Sequence, residues 1–385
     1  MKVTIAVNGR FHLFDLAREL AKQDVLDRLI TTYPSFWAHK YGVPKGCVRS
    51  LLWLGIMERF YRKIPSVILK RLDTQYYFHN AFDIISKRHI SHSSSVFIGL
   101  SSSCINAIRA AKEYGIVTLV ERGSSHMLYQ RDILLEEYDL QGMAPPYWSQ
   151  RIVDRELMEY DEADYIAIPS GFVENTFLEK GISKTKILRN PYGVNERQFF
   201  PGIKTDGVFR IIYCGSVSVR KGIVYLLKAF KELHLKNAEL WLIGSMTDEG
   251  KILVNRGRSM GVELIGAVRE DMLREKYIQG SIMCLPSIEE GLAMTQLQGM
   301  ACGLPLICTT NTGGQDIVRE GNDGFVVPIR DIESLKEKIL YLYNNRAKCE
   351  EMGSEASKRI LENYTWTHYG KRAVEIYSKV ARNGK

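Results

Sequence analysis

Three observations predict an α/β chain of two doubly wound blocks in tandem. Short apolar runs of strand length alternate with amphipathic segments along most of the chain. The alternation restarts after a Pro- and Gly-containing stretch near residues 191–207. The 385 residues, 45% hydrophobic and 25% charged, suit two ordinary domains, each with its own core.

In the first block, Val3–Val7 is expected as a strand. A helix follows over Phe11–Lys22, with Phe11, Phe14, Leu16 and Leu20 apolar, and then a strand over Arg28–Tyr33. Strands at Ser95–Leu100 and Ile116–Val120 flank a helix over Ile105–Tyr114, and strands at Ala163–Pro169 and Lys186–Arg189 flank one over Phe172–Lys180. The second block restarts with strand Val208–Cys214, helix Gly222–Leu235 and strand Ala238–Ile243. Helix Glu249–Met260, strand Val262–Ile265 and helix Asp271–Gln279 come next. Ser281–Leu285 is a buried parallel strand stopped by Pro286, and helical spacing begins at Met294 and ends at Gly303-Leu304-Pro305. Strand Leu306–Cys308, helix Gln315–Glu320, strand Gly324–Val327 and helices near Ile332–Asn344 and Glu350–Asn363 complete the block. Two such blocks form a cleft at their facing strand ends, where a ligand lies.

Composition narrows the function. The 52 Lys and Arg exceed the 44 Asp and Glu by eight, which suits an anionic ligand or membrane surface, and no finger or RNP-like motif adds a case for nucleic acid. Seven cysteines, an odd number with no Cys-x-x-Cys pair, read as reduced thiols of a cytosolic protein. Met1–Val7 is too short for a signal-peptide core, and no apolar stretch has transmembrane length.

The chemistry concentrates in Leu285–Pro305, a strand end, an acidic loop and a helix start. At about 100° per residue, Thr295, Gln298 and Cys302 share a stripe beside the apolar face. The first amides, around Ala293, Met294 and Thr295, have no intrahelical partner and with the helix dipole favour a phosphate. A second loaded segment, Tyr213–Gly222, joins a strand end to a small-residue turn at Gly215 and Ser216, two adjacent cations, Arg220 and Lys221, and a helix start. Its plain alternative is a solvated basic turn.

Glu290-Gly291, then seven residues to Gln298, then Gly303-Leu304-Pro305 resembles the signature of family-4 glycosyltransferases of GT-B fold. The resemblance implies two Rossmann-like domains facing across a cleft. Residues 1–190 would bind the acceptor, 191–207 would be the linker, and 208–364 would bind a nucleoside-diphosphate sugar; the segment Asn190–Pro201 is similar to the family's interdomain stretch. A last helix, 365–385, would cross back onto the first domain. Glu290 is then the carboxylate that holds the donor sugar. Gln298 stands where the family has a second Glu on the ribose, and a neutral amide there accepts more weakly. Lys221 matches the family's diphosphate lysine, whereas Ser216 stands at its arginine position, so Arg220 is inferred to supply that charge. Gly9, between the first strand and helix, is placed near a phosphate by its missing Cβ. His126 corresponds to a family histidine near the reacting centre. The backbone around Val268 would read the base.

Retention of configuration is implied too, with no metal required, and the acceptor would be a glycan or lipid-linked sugar of bacterial surface polysaccharide or glycoconjugate type. An epimerase of the same fold finds no matching acid and base groups. The reading from another class is a non-catalytic sugar-nucleotide or glycan-binding protein, altered at Ser216 and Gln298. His89 and His92 form a His-x-x-His without a neighbouring Glu or third ligand, which argues against a metal site. Val48–Leu72 mixes Trp53, Ile56, Met57 and Phe60 with Arg49, Arg59, Arg62, Lys63, Lys70 and Arg71. It reads either as a peripheral contact with an anionic membrane at its inner face or as a helix packed on the first domain.

Overall fold

Runs of Val, Ile and Leu with no polar alternation bury both faces of a strand, and here they make two all-parallel sheets. The computed structural model describes residues 1–61, 73–257 and 259–383. In the first sheet are β1 (Val3–Val7), β2 (Leu26–Thr31), β3 (Val48–Ser50), β4 (Val96–Leu100), β5 (Val117–Glu121), β6 (Tyr165–Ile168) and β7 (Ile187–Arg189), in the order β3-β2-β1-β4-β5-β6-β7. Every residue of β1 and β5 is buried. The second sheet holds β8 (Phe209–Cys214), β9 (Ala238–Ile243), β10 (Val262–Gly266), β11 (Ile282–Leu285), β12 (Leu306–Thr309) and β13 (Gly324–Val327), in the order β10-β9-β8-β11-β12-β13. Strand order reverses between β1 and β4 in one sheet and between β8 and β11 in the other. Such reversal points open crevices at the carboxyl ends of strands.

Several elements differ from the sequence expectation, each for a local reason. The first helix begins at Leu13, because Asn8–His12 forms a loop over the strand ends. Val48–Ser50 leaves the expected helix and pairs in parallel with β2, Leu29 opposite Val48, and the helix runs over Leu52–Tyr61. Residues 62–72 of that segment lie outside the described residues. Helices Met127–Leu140 and Gln150–Glu162 stand outside the expected elements: their buried faces mix apolar residues with Gln130 and Glu137 in one and with Arg155, Glu156 and Glu159 in the other. Most of those polar groups find partners inside: Glu159 accepts from the Ser102 and Cys104 amides, and Arg155 pairs with Asp83.

The chain crosses between domains twice. Val194, in the segment leading to β8, bridges Thr365, and the final helix Trp366–Asn383 returns to the first domain. It lies on helix Leu13–Lys22 so closely that a Cβ on Gly370 would stand 2.4 Å from Glu19 Cβ. Trp366, Tyr369, Ala373 and Tyr377 are buried there.

The turn before helix Ile223–Leu233 depends on one glycine. Gly222 has φ +61°, and a Cβ there would lie 2.0 Å from the Pro286 carbonyl oxygen. Gly222→Ala should therefore cost about 2–4 kcal/mol, read as a lower urea midpoint. An unchanged midpoint would show that the 215–222 turn and Pro286 do not need this close approach.

Candidate active site

A cavity of about 880 Å³ opens between the domains at the carboxyl ends of β1, β4, β5 and β11. The first domain contributes the loop Asn8 to His12, Ser101 to Ser103, and Arg122 to Ser124; the second contributes Arg220, Glu290 and Leu292 to Met294. A pocket at both switch points is where this architecture places ligands.

Two adjacent glutamates do different work. Glu289 is completely buried, and its carboxylate holds the domains together. It accepts from Ser124 Oγ at 2.8 Å, from Ser125 N at 2.9 Å and Oγ at 2.7 Å, and from Gln130 Nε2 at 2.8 Å, all in the first domain. From its own domain it takes Arg220 Nε at 2.9 Å. Burial pushes its carboxyl up, but the Arg220 guanidinium and the Ser125 and Gln130 donors outweigh burial and hold it down at about 2. Glu290 lines the cavity instead, and Lys221 Nζ lies against its carboxylate. Burial first, then Arg220, pulls the Lys221 ammonium down to about 7, while Glu289 acts in the opposite direction. Glu290 keeps a counter-ion on that lysine.

Beside them begins helix Met294–Ala301. Ala293 precedes it in extended conformation without a side-chain cap, and the Met294 and Thr295 amides make no hydrogen bond with the described residues. Ala293 and Met294 line the cavity, so the helix start faces it. Close backbone contact makes this possible: a Cβ on Gly291 would stand 2.0 Å from the Gly123 carbonyl oxygen of the other domain.

Several expected site residues lie elsewhere or are already engaged. His126 is buried and does not line the cavity; its Nδ1 accepts from Leu128 N at 3.2 Å as the cap of helix Met127–Leu140, and its ring packs on Tyr160 and Phe177. Burial, then Arg122 and Lys180, lowers it to about 4, which leaves it neutral. Gly9 is not among the cavity's lining residues although Asn8 and Arg10 are, and its amide donates to Thr32 Oγ1 at 2.9 Å. Arg220 is tied to Glu289 and donates to Ser124 Oγ at 3.0 Å, so its charge is largely spent between the domains. The Gly215 amide bonds the Ile243 carbonyl, and the Ser216 carbonyl accepts from the Tyr213 hydroxyl. Gln298 is buried behind the helix start, its Oε1 accepting from Tyr277 Oη at 3.2 Å. Val268 is half-buried and packed on the core, away from the cavity. Of the two set-aside histidines, His92 stacks on Tyr114.

The cavity also holds a histidine that spacing alone does not single out. His12 lines it, with Nε2 at 2.9 Å from Glu121 Oε1 at the end of β5 and its ring 4.3 Å from that of Tyr192. Glu121 Oε2 and Tyr192 Oη are buried without a partner among the described residues. His12 and Glu121 are 109 positions apart and meet because β1 and β5 end on the same side of one sheet. A polar residue just past a strand is the only trace of this in the sequence.

Residues 208–345 match the family model described as Glycosyl transferases group 1. They form a group 1 glycosyltransferase domain. The capsular polysaccharide biosynthesis glycosyltransferase CapM of Staphylococcus aureus is 29% identical over 41% of this chain and 42% of its own length. Among solved structures, sucrose-phosphate synthase from Thermosynechococcus elongatus superposes with a TM-score of 0.73, covering 100% of both chains at 17% identity. Anabaena HepE in complex with UDP-glucose gives 0.69, covering 98% of this chain and all of its own at 13% identity. The fold is GT-B. The chain spans about half the length of the curated relatives it matches.

The Glu289 clamp makes domain closure sensitive to acid. Its carboxyl sits near 2 when closed against an ordinary 4.5. A depressed pKa contributes stability that is complete above 4.5 and is lost as pH falls through about 2, on the order of 3 kcal/mol in all. Protection of the Ser125 amide against hydrogen exchange, taken relative to its intrinsic rate, should fall across that window in the wild type, whereas in Glu289→Gln it should already be low at neutral pH. Identical exchange in the two proteins would show that Glu289 does not hold the domains.

Proposed function

We propose that the chain is a retaining glycosyltransferase of the family-4 type that moves a sugar from a nucleoside-diphosphate sugar to a hydroxyl of a glycan or lipid-linked acceptor. The observation that carries this reading is the juxtaposition of the Glu290–Lys221 pair with the uncapped helix start at Ala293, Met294 and Thr295, inside a cleft between two Rossmann-like domains. Paired in this way, Glu290 and Lys221 are held at one point by each other's charge. A donor entering between them takes Lys221 to its diphosphate and leaves Glu290 for the sugar hydroxyls. The relatives support the class of donor and product: HepE is described in complex with UDP-glucose, and CapM is named for capsular polysaccharide biosynthesis.

In the proposed reaction, the bond from the anomeric carbon to the diphosphate oxygen breaks as the acceptor oxygen attacks from the same face. The acceptor proton passes to the departing phosphate oxygen. Negative charge grows on the diphosphate, and Lys221 with the 293–295 amides stabilises it, the dominant contribution in such sites. The scheme uses no metal, since lysine and helix start carry the charge. His12, held by Glu121, takes the place first expected for His126, with its ring at the cavity wall beside the acceptor. Gln298, buried behind the helix start with its oxygen accepting from Tyr277, would meet the ribose only as a neutral acceptor and only after leaving that bond. The chain would work in the cytoplasm.

The test is a screen of UDP-, GDP-, ADP- and TDP-sugars for sugar-dependent nucleotide release. Glu290→Ala should lower release by about 100-fold or more. Tight nucleotide binding with no turnover for any donor and acceptor would favour a non-catalytic sugar-nucleotide-binding protein. His12→Ala should lower kcat by about tenfold to 100-fold with little change in nucleotide affinity, and His126→Asn should leave kcat within about twofold; the reverse ranking would restore His126 to the site. Gln298→Glu should tighten nucleotide binding by about fivefold through a charge-assisted bond, measured calorimetrically, and no change would remove Gln298 from the ribose.

A further inference from the structure

Helix Leu52–Tyr61 is amphipathic the wrong way round for a surface helix. Trp53, Ile56, Met57 and Phe60, spaced i, i+3, i+4 and i+7, are 53%, 43%, 53% and 68% exposed, while Leu54 is buried beneath. The inner face is fixed to the domain, since a Cβ on Gly55 would meet the Thr32 carbonyl oxygen at 2.7 Å. Thr32 lies two residues before Pro34, which opens helix Ser35–Lys40, and that helix also turns aromatic residues outward: Phe36 is 63% exposed, with Lys40 Nζ 4.9 Å from the Trp37 ring. Large apolar side chains turned outward on one helix face in this way mark an interaction site.

Charge identifies the partner. Among the described residues, 35–61 carry four cations, Lys40, Lys45, Arg49 and Arg59, against one acid, Glu58. A second copy of the chain docked symmetrically on this face would bring like charges together. An anionic lipid surface accepts both features, the apolar side chains at the headgroup boundary and the cations among the phosphates. Among the described residues no helix is long and apolar enough to cross a membrane, so contact would be peripheral.

We propose that helices Leu52–Tyr61 and Ser35–Lys40 seat the protein on an anionic bilayer. The same helix turns Glu58 into the cavity, which sets the cleft beside the lipid headgroups. Resting on the transferase reading above, this assigns the acceptor to the lipid-linked class, delivered along the membrane rather than from solution.

Flotation of the full chain with vesicles of equal parts phosphatidylglycerol and phosphatidylcholine tests the surface. Wild type should float with them and not with phosphatidylcholine alone. Trp53→Ser with Phe60→Ser should reduce the bound fraction by about tenfold or more, and neutralising Lys40, Lys45 or Arg59 to Gln should reduce it by about fivefold each. Both sets are at exposed positions, and an unchanged thermal midpoint checks that they fold. Failure of wild type to float, equal flotation on neutral vesicles, variants that float like wild type, or a wild-type dimer that the Trp53/Phe60 variant splits would each overturn the proposal. Donor hydrolysis in the absence of lipid is read in parallel and should be unaffected by the Trp53/Phe60 pair. Lost vesicle binding with intact hydrolysis in wild type removes the membrane surface and leaves the transferase reading standing. Flotation without hydrolysis of any donor does the opposite, and withdraws the lipid-linked acceptor with it.

Discussion

The geometry of the cleft depends on one buried carboxylate. Glu289 is placed by the loop after β11, yet most of its hydrogen bonds come from the other domain, through Ser124, Ser125 and Gln130. A charge that deep is tolerated only when fully coordinated, and removing one donor leaves the remainder uncompensated. Arg220 completes the set from the second domain. Because Glu290 is the next residue, the clamp also sets where the cavity's own carboxylate points. A side chain that seals the domains and one that faces a ligand are thus one peptide bond apart.

This adjacency explains what could and could not be read in the sequence. The strands were legible because parallel strands buried on both faces are continuous apolar runs, and Val3–Val7, Ala238–Ile243 and Gly324–Val327 match the expectation at both ends. The Glu290 and Lys221 neighbourhood was legible because strand-end loops and helix starts carry distinctive residues. Glu289 was not, since nothing local separates a glutamate bound for the interface from one facing solvent. Arg220 was read as a cation for the ligand because its actual partner lies 69 residues away. His126 and His12 illustrate the same limit: each follows a strand of the first sheet, and only tertiary packing decides that one caps a helix between aromatic rings while the other turns into the cleft. Helices that bury ion pairs, such as Gln150–Glu162, break their apolar stripe with charged residues: Arg155, Glu156 and Glu159 lie among Ile152, Val153 and Tyr160.

The departures at Ser216 and Gln298 have a common character. In each, a charged group expected near the donor is replaced by a neutral one, and the Gln298 amide oxygen is already used by the Tyr277 hydroxyl. The site that results relies on fewer charges, with Lys221 and backbone amides in the central role. Desolvated amides at a helix start hold an anion without requiring a counter-ion of their own.

The return of helix Trp366–Asn383 to the first domain has a consequence for biosynthesis. Leu13, Leu16 and Leu20 are fully buried in the same core as Trp366, Tyr369, Ala373 and Tyr377, yet more than 340 residues separate the two helices. As the chain emerges from the ribosome, the second domain has its entire sheet before the first has its last covering layer. Domains ordinarily mature in the order of synthesis; here the domain begun first is finished last, and its apolar face stays open until the last helix is made.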